Sequence, residues 1–263
     1  MPALSASERA ARAARRVLRA DPVMAALMAV AGPFRLEPRT ERGPFHALAS
    51  AIAHQQLHGV AARRILARFI ALFTGVDFPA PHQVLALSDA QLRAVGFSFA
   101  KVAALKDLAA KTIAAVVPAA EELEALSDAE LIERISSVRG IGRWSVEMLL
   151  IFYLQRPDVL PVDDFGVRNG FRLAYGLKAL PTPRALAQFG ERWKPYRSTA
   201  AWYLWRAVDL ARAQRLPPCP RAPRIALAPA AGKRARAGQG KRARRGFSTA
   251  ARKRAAPARS VRR

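Results

Sequence analysis

The stretch S-V-R-G-I-G-R-W-S-V-E-M, residues 137–148, decides how this chain is read. Gly140 and Gly142, one residue apart, interrupt an apolar pattern of helical spacing, so a hairpin between two helices is predicted. Without Cβ atoms the glycines let the backbone take positive φ and come close to a ligand. The helix that follows opens with free N–H groups at the positive end of its dipole, and such a terminus seats a phosphate. Gly140, Ile141, Gly142 and Arg143 are therefore candidates for binding a backbone phosphate. A Gly-x-Gly turn alone serves many helix pairs; the flanking Val138, Ile141 and Val146 strengthen the reading.

Outward from the hairpin the chain reads as helix almost throughout. Apolar residues recur at three- and four-residue spacing through 44–57, 60–73, 98–116, 128–138, 143–154 and 198–212. Ser88-Asp89-Ala90-Gln91 and Ser127-Asp128-Ala129-Glu130 are two capping boxes. Gly75, Gly96, Gly176 and Gly190 are predicted stops. Strand alternation is absent, so the predicted class is all-α. The Arg- and Ala-rich N-terminal segment has the composition of a transit peptide, but its apolar residues fall at helical spacing, and a surface helix is the preferred reading.

The chain has 44 Lys+Arg against 19 Asp+Glu, a net charge of +25. Residues 217–263 contribute +15 of this without a single acid, leaving the body at about +10. A cationic body points to a polyanionic partner, nucleic acid first. The tail is rich in Pro, Ala, Gly and Arg and is predicted to be disordered, either an electrostatic tether to DNA or an inert extension. The one cysteine, Cys219, excludes a disulfide framework, a Cys-ligated zinc site and an iron–sulfur cluster. No apolar run is long enough to suggest a membrane span.

G-I-G-R-W-S resembles the hairpin of the helix-hairpin-helix DNA glycosylases, most closely the 3-methyladenine DNA glycosylase II branch. L-P-V-D-D-F, residues 160–165, supplies the Asp that this family places beyond the next helix, and Asp164 lies 20 residues after Trp144. R-W-K-P-Y-R-S-T-A-A-W-Y-L-W, residues 192–205, is similar to the branch's C-terminal aromatic helix. The resemblance spans about 21–209 and implies two helical subdomains with a DNA cleft between them. Residues 45–158 would form the hairpin-bearing half, and 1–44 with 159–216 the other. The compact all-α form is implied, without the β-rich N-terminal part of the bacterial prototype. That prototype carries tyrosine where this chain has Met148 and Arg206.

The resemblance makes Asp164 the catalytic carboxylate, stabilising the cationic sugar as an N-glycosidic bond breaks. An isolated Asp-Asp pair is more simply a helix cap, and one Asp could cap while the other catalyses. Trp144 stands where lyase-active members carry a Schiff-base lysine, so base removal without strand cleavage is implied. Lys101 and Lys111 read as solvated helix lysines. Trp144, Met148 and Trp205 are the expected base pocket, a sandwich of indoles suited to a cationic methylated purine. Trp193 and Trp202 read as core. In A-I-A-H-Q-Q-L-H, residues 51–58, one of Gln55, Gln56 and Leu57 would be the wedge that fills the gap left by the flipped base, unless this is an ordinary polar helix end. His54 and His58 read as surface histidines rather than a metal pair.

The reading is therefore a monofunctional hydrolase of N-glycosyl bonds, acting on alkylated purines such as 3-methyladenine in base excision repair. The expected partner is double-stranded DNA containing damaged bases, with no membrane, and the expected state is a monomer. No metal or iron–sulfur cluster is expected, and no cofactor beyond a monovalent cation that the hairpin could hold. The location would be the cytoplasm, on the nucleoid, in a bacterium and the nucleus in a eukaryote. The rivals are a glycosylase for another lesion and a catalytically silent module that only binds DNA.

Overall fold

The computed structural model describes residues 6–36, 42–57, 59–220 and 225. Among them every regular element is helical. In chain order these are α1 (Ala6–Arg19), α2 (Pro22–Ala31), α3 (Pro44–His54), α4 (Gly59–Ile70), α5 (Pro81–Ala86), α6 (Asp89–Ala94), α7 (Phe99–Ile113), α8 (Ala120–Leu123), α9 (Asp128–Ser136), α10 (Arg143–Met148), α11 (Phe165–Ala174), α12 (Pro183–Gly190) and α13 (Arg197–Arg212). None of them is long and apolar enough to cross a membrane.

Local chemistry starts these helices where the sequence says it should. Ser88 Oγ accepts from Gln91 N at 3.2 Å while Gln91 reaches back to Ser88 N at 2.8 Å. Ser127 and Glu130 repeat the exchange at 3.3 and 2.8 Å, each box satisfying two donors that a helix start leaves open. The N-terminal arginine-rich segment is helix α1, whose Ala14 and Leu18 are buried. Gly75, Gly96 and Gly176 take positive φ after helices, as expected of stops. Gly190 does not: its φ is −70° and the chain continues into a 3-10 turn. A Cβ there would lie 2.4 Å from Leu160 Cδ2, so Gly190 serves close packing.

Two apolar clusters form. The first draws on α3 to α10 and runs from Phe45 to Val159; the second draws on α1, α2 and α11 to α13, from Leu18 to Leu210. The chain passes from one to the other between adjacent residues, Val159 and Leu160, and Trp205 packs against both. In the second cluster the buried Asp21 caps α2 through Val23 N at 3.0 Å and accepts from Tyr175 Oη at 2.6 Å. Desolvation by burial, with the Asp21 charge and hydrogen bond behind it, pushes the Tyr175 hydroxyl well above its ordinary value. Trp193 is fully buried and Trp202 half-buried against Phe34, in keeping with their core reading.

The second cluster also takes in residues past the expected end of the body. Cys219 and Ile225, beyond the predicted boundary at residue 216, pack against it. They are apolar groups in a segment otherwise poor in them, and burial gives them a place. The rest of the basic tail lies outside the described residues.

Candidate active site

The predicted helix 143–154 is interrupted. α10 ends at Met148 and a π-helical turn, Leu149–Tyr153, takes over, with Leu154 N bonded to Leu149 O at 3.0 Å and Arg156 N to Leu150 O at 2.8 Å. Apolar spacing cannot register one extra residue in a turn, and such bulges cluster at functional sites. Phe152, within this turn, stacks on Trp205 at 5.6 Å and 26°.

From the turn the chain enters a loop clamped to the start of α13. Arg197 makes a two-pronged contact with Asp158, Nε to Oδ1 at 2.7 Å and Nη2 to Oδ2 at 3.0 Å. Ser198 Oγ donates to Arg156 O at 2.6 Å and accepts from Val159 N at 3.0 Å. Together these fix the approach to Asp164.

Asp164 is the N-cap of α11, its Oδ1 accepting from Val167 N at 2.7 Å. Oδ1 also accepts from Trp205 Nε1 at 2.9 Å, and Oδ2 from Trp144 Nε1 at 2.7 Å. Three elements thus converge on one carboxylate. A carboxylate oxygen has about two acceptor positions, so Oδ1 is full and Oδ2 keeps one for an incoming group. Of the two aspartates it is Asp164 that holds the cap, and Asp163 is exposed. Cap and site coincide because the donors come from different sides of the same group.

The structure brings two of the three expected pocket residues, Trp144 and Trp205, together at Asp164. Both aim their N–H edges at Asp164, and one face of Trp205 is covered by Phe152. Trp144 remains 45% exposed, and Met148 is half-buried against the first cluster. Arg206 is turned away to Asp209, at 2.8 Å, and lies over Trp202. Sequence reading missed Phe152 and Gly166. A Cβ at Gly166 would stand 2.8 Å from Trp205 Cδ1 and 3.0 Å from Asp164 Oδ1. Its signal was present in Gly166 and Gly170, four apart inside a helix; at Gly170 a Cβ would meet Leu204 O at 1.8 Å.

The hairpin is braced from α7 and α3. Asp107 Oδ2 accepts from Arg139 N at 2.6 Å and pairs with Lys111 at 3.0 Å. Desolvation pushes the Asp107 carboxyl up, but the bonds and charges of Arg139 and Lys111 outweigh it and hold it below its ordinary value. Lys111 Nζ also donates to Ser137 O, and Gln55 Nε2 to Gly140 O at 2.9 Å. A monovalent cation at the hairpin would compete with these donors for the two carbonyls. Lys101 Nζ donates to Ala53 O at 2.9 Å, and burial lowers its ammonium's pKa. Both lysines are thus brace residues rather than solvated ones, because their ends reach carbonyls that helices leave open.

Gly140 has φ +74°, the left-handed turn the sequence predicts. Gly142 has φ −99° and ψ 175°, an extended backbone, and a Cβ there would meet nothing within 4 Å. Its expected positive φ is corrected; the glycine leaves open space outside the protein. Of the wedge candidates, Gln55 is turned to the hairpin, while Gln56, at φ +55°, and Leu57, 41% exposed, lie at the surface of the turn after α3. His54 bonds Ser50 O at 2.8 Å, and His58 lies outside the described residues. Among the described residues no cluster of His, Cys, Asp or Glu could hold a metal ion.

Residues 49–195 match the HhH-GPD superfamily of base excision DNA repair proteins. The chain belongs to that superfamily. DNA-3-methyladenine glycosylase 1 of Schizosaccharomyces pombe is 42% identical over 186 residues, which is 70% of this chain and 82% of the relative. A solved structure of the 3-methyladenine DNA glycosylase of that yeast, in complex with abasic DNA, superposes with a TM-score of 0.70, covering 75% of this chain and 97% of that one at 41% identity. A DNA-3-methyladenine glycosidase of Bacillus halodurans gives a TM-score of 0.68 at 30% identity, covering 75% and 89%. The HhH-GPD match takes in the hairpin, Trp144 and Asp164, and stops short of Trp205, which α13 supplies.

Proposed function

We propose that the protein is a monofunctional DNA glycosylase that removes alkylated purines from double-stranded DNA in base excision repair. The observation that carries this reading is the carboxylate of Asp164, held by three N–H donors from three elements beside an exposed indole. The relatives named above bear on the substrate: they are 3-methyladenine glycosylases.

In this reading the Gly140–Arg143 hairpin holds the backbone, Gln56 or Leu57 fills the gap left by the flipped base, and Trp144 with Met148 receives that base. The C1′–N bond breaks with its electron pair leaving on the base. An alkylated purine is already cationic and departs neutral, so little acid catalysis is needed. The positive charge left on the sugar faces Asp164, whose Oδ2 has the free acceptor position. Water then bonds to C1′ and loses a proton to solvent, leaving an abasic site.

Cleavage without strand scission is favoured by Trp144, whose indole N–H cannot form a Schiff base. Lys101 and Lys111 are engaged elsewhere, Lys101 with Ala53 O and Lys111 with Ser137 O. The test is incubation with methylated duplex DNA, identification of each released base, and borohydride treatment. Free 3-methyladenine, abasic sites and no trapped adduct are expected. Release of an oxidised base instead would favour the other-lesion reading, no release at all the silent module, and a trapped lysine adduct a lyase.

A further inference from the structure

Asp164 does not account for the buried carboxylate of this region. Glu147 lies on α10, three residues past Trp144, and its side chain is only 3% exposed. Burying an ionised group is costly unless something holds it. Burial pushes the Glu147 carboxyl above its ordinary value, Arg143 opposes that, and the charges of Asp163 and Asp164 add to it. Its hydrogen-bond partner is Arg143 Nε at 2.8 Å, on a side chain that is 63% exposed.

Helix stability does not explain this pair. With the cation four residues before the carboxylate, the order is the weaker one for a helix, and Arg143 stands in the first turn, where the dipole disfavours a cation. The contact instead anchors one nitrogen of a guanidinium. The two Nη groups have no hydrogen-bond or ion-pair partner among the described residues.

We infer that Glu147 is a positioning residue for DNA binding: it holds Arg143 so that both Nη groups grip one backbone phosphate beside the Gly140–Gly142 hairpin. The inference rests on the hairpin contact proposed above. A guanidinium fork matches two phosphate oxygens, and anchoring Nε beforehand removes rotamer freedom that binding would otherwise have to remove.

The sign of the effect separates this from plain electrostatics, which predicts that deleting a negative charge near DNA tightens binding. Arg143→Ala, Arg143→Lys, Glu147→Gln and the Arg143→Ala/Glu147→Gln double variant would be made in the full chain. Their Kd for a duplex carrying a tetrahydrofuran abasic-site analogue would be measured by fluorescence anisotropy across salt concentrations. Arg143→Ala should weaken binding about tenfold or more and flatten the log–log salt slope by roughly one. Arg143→Lys keeps the charge but not the fork, and should lose nearly as much affinity. Glu147→Gln should weaken binding by about three- to tenfold without melting lower, and should do nothing further in the Arg143→Ala background. Unchanged or tighter binding by Glu147→Gln, an equal loss in the Arg143→Ala background, or full affinity in Arg143→Lys would each overturn the inference. Normal affinity and slope in Arg143→Ala would overturn it together with the hairpin contact itself.

Discussion

Trp205 donates its indole N–H to Asp164 Oδ1 at 2.9 Å, directly over the backbone of Gly166. The contact joins the last helix to the loop that carries the carboxylate, and it exists because position 166 has no side chain. Gly166→Ala should push Trp205 off Asp164, lowering kcat about tenfold, with a stability loss of about 1–3 kcal/mol from overpacking. Gly170→Ala should behave differently, since its Cβ would collide with the backbone oxygen of Leu204, which cannot swing away. Single-turnover excision and thermal melting of both variants check this. Full activity in Gly166→Ala would mean that the indole contact is dispensable.

Asp164→Asn should abolish excision, a loss on the order of a hundredfold or more, because an amide cannot stabilise a sugar cation. Since the same side chain caps α11, the variant should also melt lower, by about 1 kcal/mol at most, as Asn is a good cap. Asp163→Asn should be close to the parent in both respects. Excision assays on proteins matched by circular dichroism decide the matter. A dead Asp163→Asn beside an active Asp164→Asn would transfer the role to Asp163.

Gly142→Ala isolates what the hairpin does for a ligand. Its extended backbone suits any residue and its Cβ meets nothing in the protein, so stability should change by no more than about 1 kcal/mol. DNA affinity should nevertheless fall severalfold, because a methyl group would stand where a phosphate approaches. Parallel melting and DNA titration test it; unaltered affinity would place the backbone contact elsewhere.

Glu147 makes stability depend on pH in a direction opposite to a surface ion pair. Its folded carboxyl keeps its proton to higher pH than the unfolded one, with Arg143, Asp163 and Asp164 the charged groups acting on it. Above that raised value the ionised group costs stability, and the cost is relieved as the pH falls towards the unfolded value. Glu147→Gln should therefore melt above the parent at neutral pH, with the gap closing on acidification towards pH 4.5. Calorimetry at a series of pH values checks it, and a gap that widens in acid would contradict it.

Much of this protein was determined locally. The two capping boxes, the turn at Gly140 and the succession of amphipathic helices follow from groups within a few residues of each other, and the all-α class follows from them. The hairpin motif and the distance from Trp144 to Asp164 along the chain were legible for the same reason, since both lie within one contiguous stretch. What the chain alone could not reveal is which groups meet across the fold. Trp205 reaches Asp164 over Gly166, Gln55 turns from the surface to the Gly140 carbonyl, Lys111 braces Ser137, and a π turn places Phe152 on Trp205. Periodicity records which face of a helix is apolar but not which partner covers it, and hydrogen bonds between residues 41 or 85 positions apart leave no mark on local spacing. Packing of the two clusters supplies those partners, so the capping Asp, the indole edges and the buried Glu147 acquired their roles only in three dimensions.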